Sequence, residues 1–479
     1  MPQKKCIKTG SSPNQQLDLP HKLTDYSIMS QKNETAVLVL ALLITLALVG
    51  VGFWFIQDLW KKPSLQDRIS VGEKNIFAGV ISQKKQAGLQ AFASKNFPVA
   101  IANLEAALQG KPNDPEGLIF LNNARIGEQK SYTIAVSVPI GTDPNGSLEI
   151  LRGVAQAQNE INQAGGVNGV PVKVAIANDD NNPAIARQIA TELTKNPEIL
   201  GVIGPYASDV SLAAAKAYES GQIVAISPIS TSVKLSGFSR YFFRTVPSDY
   251  VAARSLADYM LTKLQIKNAA VFFNSQSSYS QSLKSEFVTA VSLGGGEVSS
   301  EFDLSAPDFS AAASFKQAKE RGAKLLMLAP NTASLDKALQ VVQVNSKQLS
   351  LLGGDDVYTP KTLEVGAASA VGMVVAVPWH IKGVANSNFV RQSKQLWNAD
   401  VNWRTALSYD AAQALIAAIK RNPNRVGVQQ ALIASDFSAP GASGIVRFLP
   451  SGERNSTIQL VKIVRGDRSR TGYDFEPVQ

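Results

Sequence analysis

The greater part of this chain reads as an α/β fold made of two doubly wound, parallel-sheet lobes with a cleft between them. Three observations predict it. From Ser131 onward, short apolar runs alternate with amphipathic stretches of helical length, the order that builds a parallel sheet covered by helices on both faces. The series runs to about Arg240 and restarts after Phe243–Asp249, which gives two sheets rather than one. At 479 residues the chain is also too long for a single core.

In the first series, strands are predicted at Tyr132–Pro139, Val170–Ala177, Ile199–Ile203 and Ile223–Ile226. Helices are predicted at Leu148–Gln163, Ala184–Lys195 and Asp209–Ser220, the first stopped by Gly165-Gly166 and the third by Gly221. The second series gives helices at 250–265, 281–293, 309–321 and 333–344. Its strands are Ala269–Phe273, Glu297–Leu304, Lys324–Ala329, Leu349–Leu352 and Gly372–Val377. Helices at 386–399 and 406–421 return the chain, and Ser443–Phe448 with Thr457–Val464 read as a hairpin around Pro450-Ser451-Gly452. The domain 131–479 thus divides into lobe 1, about 131–246 and 380–440, and lobe 2, about 250–376 and 444–466. Crossings fall near Thr245–Asp249, Ala376–Trp379 and Ser438–Ser443.

Ahead of this domain, residues 1–34 are polar and read as a disordered tail. Residues 35–56 carry no charge over 22 positions, enough to cross a bilayer, with Trp54 and Trp60 near the far end where interfacial aromatics belong. A cleaved signal peptide fits less well, because the run is longer than a signal's apolar core and no A-x-A site follows. An uncleaved transmembrane anchor is expected. Lys22 and Lys32 precede it, while Lys61, Lys62, Arg68 and Lys74 follow, so positive charge alone would keep the C-terminal side in the cytoplasm. Residues 81–128 are helical in pattern. Ala87, Gly88, Ala91, Ala100, Leu104, Ala107 and Pro112 fall on the spacing of a tetratricopeptide repeat, and Leu118–Arg125 reads as a further helix. One repeat cannot bury a solenoid core, so a helical spacer between membrane and domain is expected.

Composition excludes several function classes. The net charge of +9 is dispersed: from Ser131 there are 32 Lys/Arg against 28 Asp/Glu, a net of +4 with no long basic run, so no nucleic-acid partner is predicted. Cys6 is the single cysteine and His21 and His380 the only histidines, which leaves no disulfide and no Cys- or His-based metal site; no cofactor is predicted. The chain has no G-x-x-x-x-G-K-[ST], no G-x-G-x-x-G in the first βα unit and no G-x-S-x-G. Ser334 to Lys337 is an S-x-x-K without companion motifs. An enzyme is not predicted.

The chemistry concentrates in Ile199–Arg240. Ser208 follows one strand at the start of a helix, and Ser227-Pro228-Ile229-Ser230-Thr231-Ser232 follows the next. In an open α/β sheet, ligands sit beyond the carboxyl ends of the strands, where both clusters fall. Free N–H groups at a helix start and Ser or Thr hydroxyls can all donate to a carboxylate.

The succession NEINQAGGVNGVPV, NDDNNPAIA, VIGPYAS, ISPISTSVKL and YFFRTVPSD resembles the periplasmic leucine/isoleucine/valine-binding proteins, the type I solute-binding fold. LLGGDDVY, SYDAAQAL and SGIVRFLPSGE continue the pattern, so the resemblance covers roughly Ser131 to Gly466 and not the anchor or helical segment. It implies an extracytoplasmic domain that traps an amino acid between its lobes for an ABC permease, or, alternatively, a receptor that uses the same clamp to signal to a partner. It also implies that Ser208, the Ile229 backbone and Thr231 hold the ligand carboxylate, that Tyr279 faces it from lobe 2, and that Asp355 takes its ammonium. Ser208 as a helix N-cap, Tyr279 as packing, and Asp355 as a turn residue with Asp356 the true ligand group stand as alternatives. Tyr206 is expected to be exposed beside Ser208 and to touch the ligand, Asn331 and Thr332 to face the ligand across the cleft, Trp379 to be structural, and Asp179-Asp180 to cap loops. The sequence departs from the family at Asn331 and Thr332, where an aromatic is expected, and at Gly146 and Ala207. Those departures leave room for a larger or more polar ligand than leucine.

Overall fold

The computed structural model describes residues 38–45, 64–383 and 387–478, and the chain divides into two units, 1–63 and 64–479. In the first, residues 38–45 form helix α1, with Leu38, Leu40, Leu42, Leu43 and Ile44 exposed. The rest of the span 35–56 and the tail 1–34 lie outside the described residues. Among the described residues no helix is long and apolar enough to cross a membrane.

The second unit opens with a two-residue strand, β1 (Ile69–Ser70), and three helices, α2 (Gln83–Ala93), α3 (Phe97–Gly110) and α4 (Pro115–Ile126). Lobe 1 follows as β2 (Tyr132–Val138), α5 (Pro144–Gln163), β3 (Val172–Asn178), α6 (Pro183–Lys195), β4 (Ile199–Ile203), α7 (Ser208–Ser220), β5 (Val224–Ser227) and β6 (Phe242–Arg244). Its sheet has the order β1-β3-β2-β4-β5-β6, parallel except for β1. Lobe 2 contains α8 (Asp249–Asp258), β7 (Asn268–Phe273), α9 (Ser278–Leu293), β8 (Glu297–Asp303), α10 (Ala311–Glu320), β9 (Leu325–Ala329), α11 (Leu335–Asn345), β10 (Ser350–Gly353), α12 (Pro360–Ala370) and β11 (Val374–Val377). Helices α13 (Asn388–Trp397), α14 (Trp403–Arg421) and α15 (Arg425–Ile433) return to lobe 1. The chain then crosses back as β12 (Gln459–Arg465) and β13 (Tyr473–Pro477), giving lobe 2 the order β13-β12-β11-β10-β9-β7-β8.

Local chemistry sets these boundaries. Asp114, Asp143, Asn182 and Thr359 each cap a helix whose next residue is proline, so the cap oxygen and the fixed proline φ act together. Every residue of β4 and β9 is buried, as expected for strands covered on both faces.

Three features differ from the sequence-based expectation. The segment 81–128 does not stand apart as a spacer. Gly88 of α2 meets Leu104 of α3 as the small/large spacing anticipates, but every residue of α4 except Arg125 is buried, and Asn123 donates to Val71 O and Val174 O, both at 2.7 Å. The Lys85 ammonium joins the layer through Asp114 (2.7 Å) and Glu116 (2.8 Å). Burial alone would lower the Lys85 pKa, yet the two carboxylates outweigh it and hold the group above its ordinary value. Second, the hairpin 443–448/457–464 does not form. The Arg454 guanidinium takes Gly444 O (3.3 Å) and Ile445 O (3.2 Å), carbonyls a ladder would use, and β12 pairs instead with β11 and β13. What is retained is the turn at 450–452, with Gly452 N–H donating to Leu449 O at 2.9 Å, and a single bridge across it between Phe448 and Arg454. Third, lobe 1 begins before residue 131, because β1 adds an edge strand to its sheet.

Candidate functional site

Each sheet reverses its strand order once, between β2 and β4 in lobe 1 and between β7 and β9 in lobe 2. The loops that leave these switch points open into one cavity of about 420 Å³ between the lobes. Tyr206, Ser208, Ile229, Thr231, Tyr279, Asn331, Thr332 and Asp355 all line it.

The lobe 1 wall is a donor surface. Ala207, not Ser208, occupies the cap position of α7, and no side chain caps that helix. Ser208, Asp209 and Val210 of its first turn therefore line the cavity with their N–H groups beyond the reach of helical carbonyls. Ser208 Oγ accepts from Ser232 N–H at 3.2 Å, which leaves its proton free to donate. Thr231 is 5% exposed and its Oγ1 is without a partner among the described residues. Ile229 differs from the expectation: its N–H already donates to Ser227 Oγ at 3.3 Å. The remaining hydroxyls staple the two loops together. Ser227 donates to Pro205 O (2.8 Å), Ser230 to Tyr206 O (2.9 Å), and Ser230 pairs with Ser211 (2.7 Å). Close approach of β4 to β2 requires the glycine that ends β4. Gly204 has φ +109°, and a Cβ there would lie 2.4 Å from Ser137 O.

The lobe 2 wall is acidic. Tyr279 donates through its hydroxyl to Asp355 Oδ1 at 2.7 Å, and both residues are buried. Burial pushes the Asp355 carboxyl above its ordinary range, against the Tyr279 hydrogen bond and the Arg404 charge. Burial likewise pushes Asp356 up to about 7, against Arg404. Asn331 caps the turn at 332–334 and accepts from Asn274 Nδ2 at 2.9 Å, so it shapes the wall as well as lining it. Thr332 Oγ1 lies 3.5 Å from Asp356 Oδ2.

Tyr206 is buried, not exposed, because its hydroxyl accepts from Arg404 Nε at 3.1 Å. Arg404 was not predicted. It extends from the start of α14 in lobe 1 to Tyr358 O (3.2 Å) and Asp356 Oδ1 (3.4 Å) in lobe 2. Its one sequence signal is a lone charge among Trp403, Thr405, Ala406 and Leu407. Beside the cavity the lobes are also joined where Ser278 N–H donates to Asp209 Oδ2 (3.0 Å) and Val233 N–H to Ser282 Oγ (3.0 Å). These bonds tie the lobes together across the cleft. Asp179 and Asp180 cap their loops, accepting from Asn181 N–H and Gly141 N–H, both at 2.9 Å. Trp379 is buried edge-on to Phe389. Among the described residues no group of three or more His, Cys, Asp or Glu is placed to hold a metal ion.

Two doubly wound lobes with a cavity between them, lined by free donors from lobe 1 and by buried carboxyls from lobe 2, define a small-molecule clamp. The chain belongs to the periplasmic binding protein family, whose model matches residues 131–469. An amino acid binding protein of Pseudomonas aeruginosa is 33% identical over 148 residues, which is 30% of this chain and 38% of that protein's length. In fold the chain is similar to a leucine binding protein from Thermotoga maritima (TM-score 0.63, 22% identity, 72% of this chain and 97% of that one). It is likewise similar to an ABC-transporter solute binding protein of Rhodopseudomonas palustris in complex with 3,4-dihydroxybenzoic acid (TM-score 0.63, 18% identity, 73% and 96%).

Proposed function

We propose that this chain captures a small zwitterion, an L-amino acid, between its lobes and presents it to an ABC-type permease. The observation that carries this reading is the asymmetry of unpaired groups across the cavity: the lobe 1 carboxylates that line it, Asp180 and Asp209, are taken by Arg68 and by Ser278 N–H, which leaves free donors on that side and the Asp355 carboxyl on the other. The uncapped start of α7, Ser208 and the unpartnered Thr231 hydroxyl suit a carboxylate. Opposite them, Asp355 has a tyrosine hydroxyl as its partner and no salt bridge among the described residues, so a ligand ammonium supplies the missing charge. An aromatic acid would satisfy the first wall and leave the second uncompensated. The names of the amino acid binding protein of Pseudomonas aeruginosa and of the Thermotoga maritima leucine binding protein agree with an amino-acid ligand, while the Rhodopseudomonas palustris protein holds an aromatic acid. Residues 35–56 anchor the chain in a membrane, with the clamp on the extracytoplasmic side. A sensing role has one observation in its favour: the strand that precedes the family-matched region is paired into lobe 1.

Thermal melting of the full chain against the twenty L-amino acids and a set of hydroxybenzoates tests the proposal. At a hundredfold excess over Kd, a ligand stabilises the folded form by about 2.7 kcal/mol. At least one amino acid is expected to raise Tm. Stabilisation by benzoates and by no amino acid would overturn the reading. A reporter fused after Gln479 is expected outside the cytoplasm, and a cytoplasmic signal would defeat the transport role.

A further inference from the structure

We propose that Asn181 is a ligand-contacting residue and that Arg68, from outside the family-matched region, is the positioning residue that holds it in the cavity. The ligand contact rests on the reading above; the positioning does not.

Asn181 lines the cavity on the lobe 1 side, and its Oδ1 is buried without a partner among the described residues. A buried acceptor left unpaired is costly, and a ligand N–H or O–H donor accounts for it. The loop that presents it turns sharply through two left-handed residues. Asp180 and Asn181 are consecutive non-glycine residues in the left-handed region, at φ +50° and +55°. Asp179 holds the loop from within, accepting from Asn181 N–H at 2.9 Å, and Asp180 ties it to its surroundings. Its Oδ1 accepts from Gly141 N–H at 2.9 Å, which ties it to the loop after β2; its Oδ2 accepts from Arg68 Nη1 at 2.7 Å. The same nitrogen reaches Asn178 O at 3.3 Å. Arg68 is the one cation paired with Asp180 among the described residues, and its side chain is only 11% exposed.

Arg68 is itself held in register. The next two residues form β1, pairing Ile69 with Ala177 and Ser70 with Ile176 at the end of β3 that feeds the loop. Asn123 of α4 takes Val71 O, and Glu116 accepts Ile76 N–H at 2.7 Å. A chain of contacts therefore runs from the segment 64–77 through Arg68 and Asp180 to Asn181. The binding unit begins at this segment rather than at residue 131. By linkage, a ligand that engages Asn181 tightens the segment as much as the segment tightens the ligand.

The experiment uses the full chain as wild type, Arg68→Gln, Asn181→Gly and the double variant. Glycine keeps the left-handed backbone and removes the amide. Hydrogen exchange is measured without ligand over 139–142 and 178–182, and affinity by calorimetry with each of the twenty L-amino acids. Arg68→Gln is expected to speed exchange in those two loops, leave lobe 2 unchanged, and weaken binding about tenfold, the low end for a lost charge-assisted hydrogen bond. Asn181→Gly is expected to weaken binding by a similar factor. The double variant should bind no more than about twofold worse than Asn181→Gly, because Arg68 acts through that residue. Wild-type exchange in Arg68→Gln, faster exchange across the whole chain, unchanged affinity in either single variant, or additive losses would each overturn the proposal. If wild type binds no amino acid, the amino-acid reading and the ligand contact fall together, and the exchange arm still decides whether Arg68 positions the loop.

Discussion

Replacing Arg404 by methionine tests whether closure of the lobes depends on one guanidinium. Methionine keeps the apolar stem and removes the charge. Of the three bonds Arg404 makes, that to Tyr206 stays within lobe 1, while those to Tyr358 O (3.2 Å) and Asp356 Oδ1 (3.4 Å) cross the cleft. Both crossing bonds are long, so each is worth the low end for a charged hydrogen bond, about 1.5 kcal/mol, or about 3 kcal/mol together. That lowers the closed-to-open ratio by about two decades, and apparent affinity falls by up to the same factor where closure is needed to bind. Protonation limits the loss. Asp356 already titrates at about 7, and without Arg404 its pKa rises further, so near neutral pH the carboxyl takes a proton rather than staying charged and unpaired. The defect should therefore be larger at pH 8 than at pH 6. Small-angle scattering should show a more open ligand-free molecule, and calorimetry a weaker amino-acid Kd with that pH trend. Wild-type scattering and affinity in the variant, or a defect independent of pH, would refute the reasoning.

Further perturbations address other parts of the molecule. Asp355→Ala removes the expected ammonium partner and should weaken amino-acid binding by at least about thirtyfold in calorimetry, the low end for breaking a buried charge pair; unchanged affinity excludes this role. Lys85→Ala strands Glu116, which is 1% exposed, and should cost about 3–5 kcal/mol in denaturant unfolding; a loss under about 1 kcal/mol would show that the helical layer does not depend on the pair. Burial pushes Asp249 up to about 7, against about 3.9 in an unfolded chain. The folded state thus holds the extra proton between those values, and stability falls as pH rises through the window, by up to about 1.4 kcal/mol per unit. Asp249→Asn should therefore gain in Tm relative to wild type between pH 5 and pH 8, and a constant difference would count against the assignment.

Much of this was legible in the sequence because parallel strands are short, wholly apolar and punctuated. Ile199–Ile203 is delimited as predicted, and Ser208 and Thr231 could be placed at strand ends without knowledge of the fold. What was not legible depends on long-range partners. The division of labour among the hydroxyls of 227–232 turns on what each one faces: Ser227 and Ser230 look identical to Thr231 in sequence, yet they are consumed by carbonyls of the neighbouring loop. Arg404 and Arg68 act on residues 48 and 112 positions away, and no local pattern marks such a reach. Strand β1 is two residues long, too short for any alternation to register. The mistaken hairpin has the same origin, since β12 pairs with β11, more than eighty residues earlier in the chain.

The return of α14 to lobe 1 governs the order in which the molecule can assemble. A Cβ at Gly153 would lie 2.3 Å from Thr405 O, so α5 and α14 touch backbone to backbone across some 250 residues of chain, and Gln156 Oε1 accepts from Ser393 Oγ at 2.7 Å nearby. Until residues 403–421 have emerged during synthesis, α5 has α4 and the sheet to pack on, but the side of it that meets α14 stays bare. Lobe 2, although encoded after all six strands of lobe 1, can form β7 to β11 before α14 reaches lobe 1. Contacts of such separation close slowly, since the entropy of the long loop is lost before the packing is gained. Neither lobe corresponds to a continuous length of gene, and no single cut in the chain yields two intact halves.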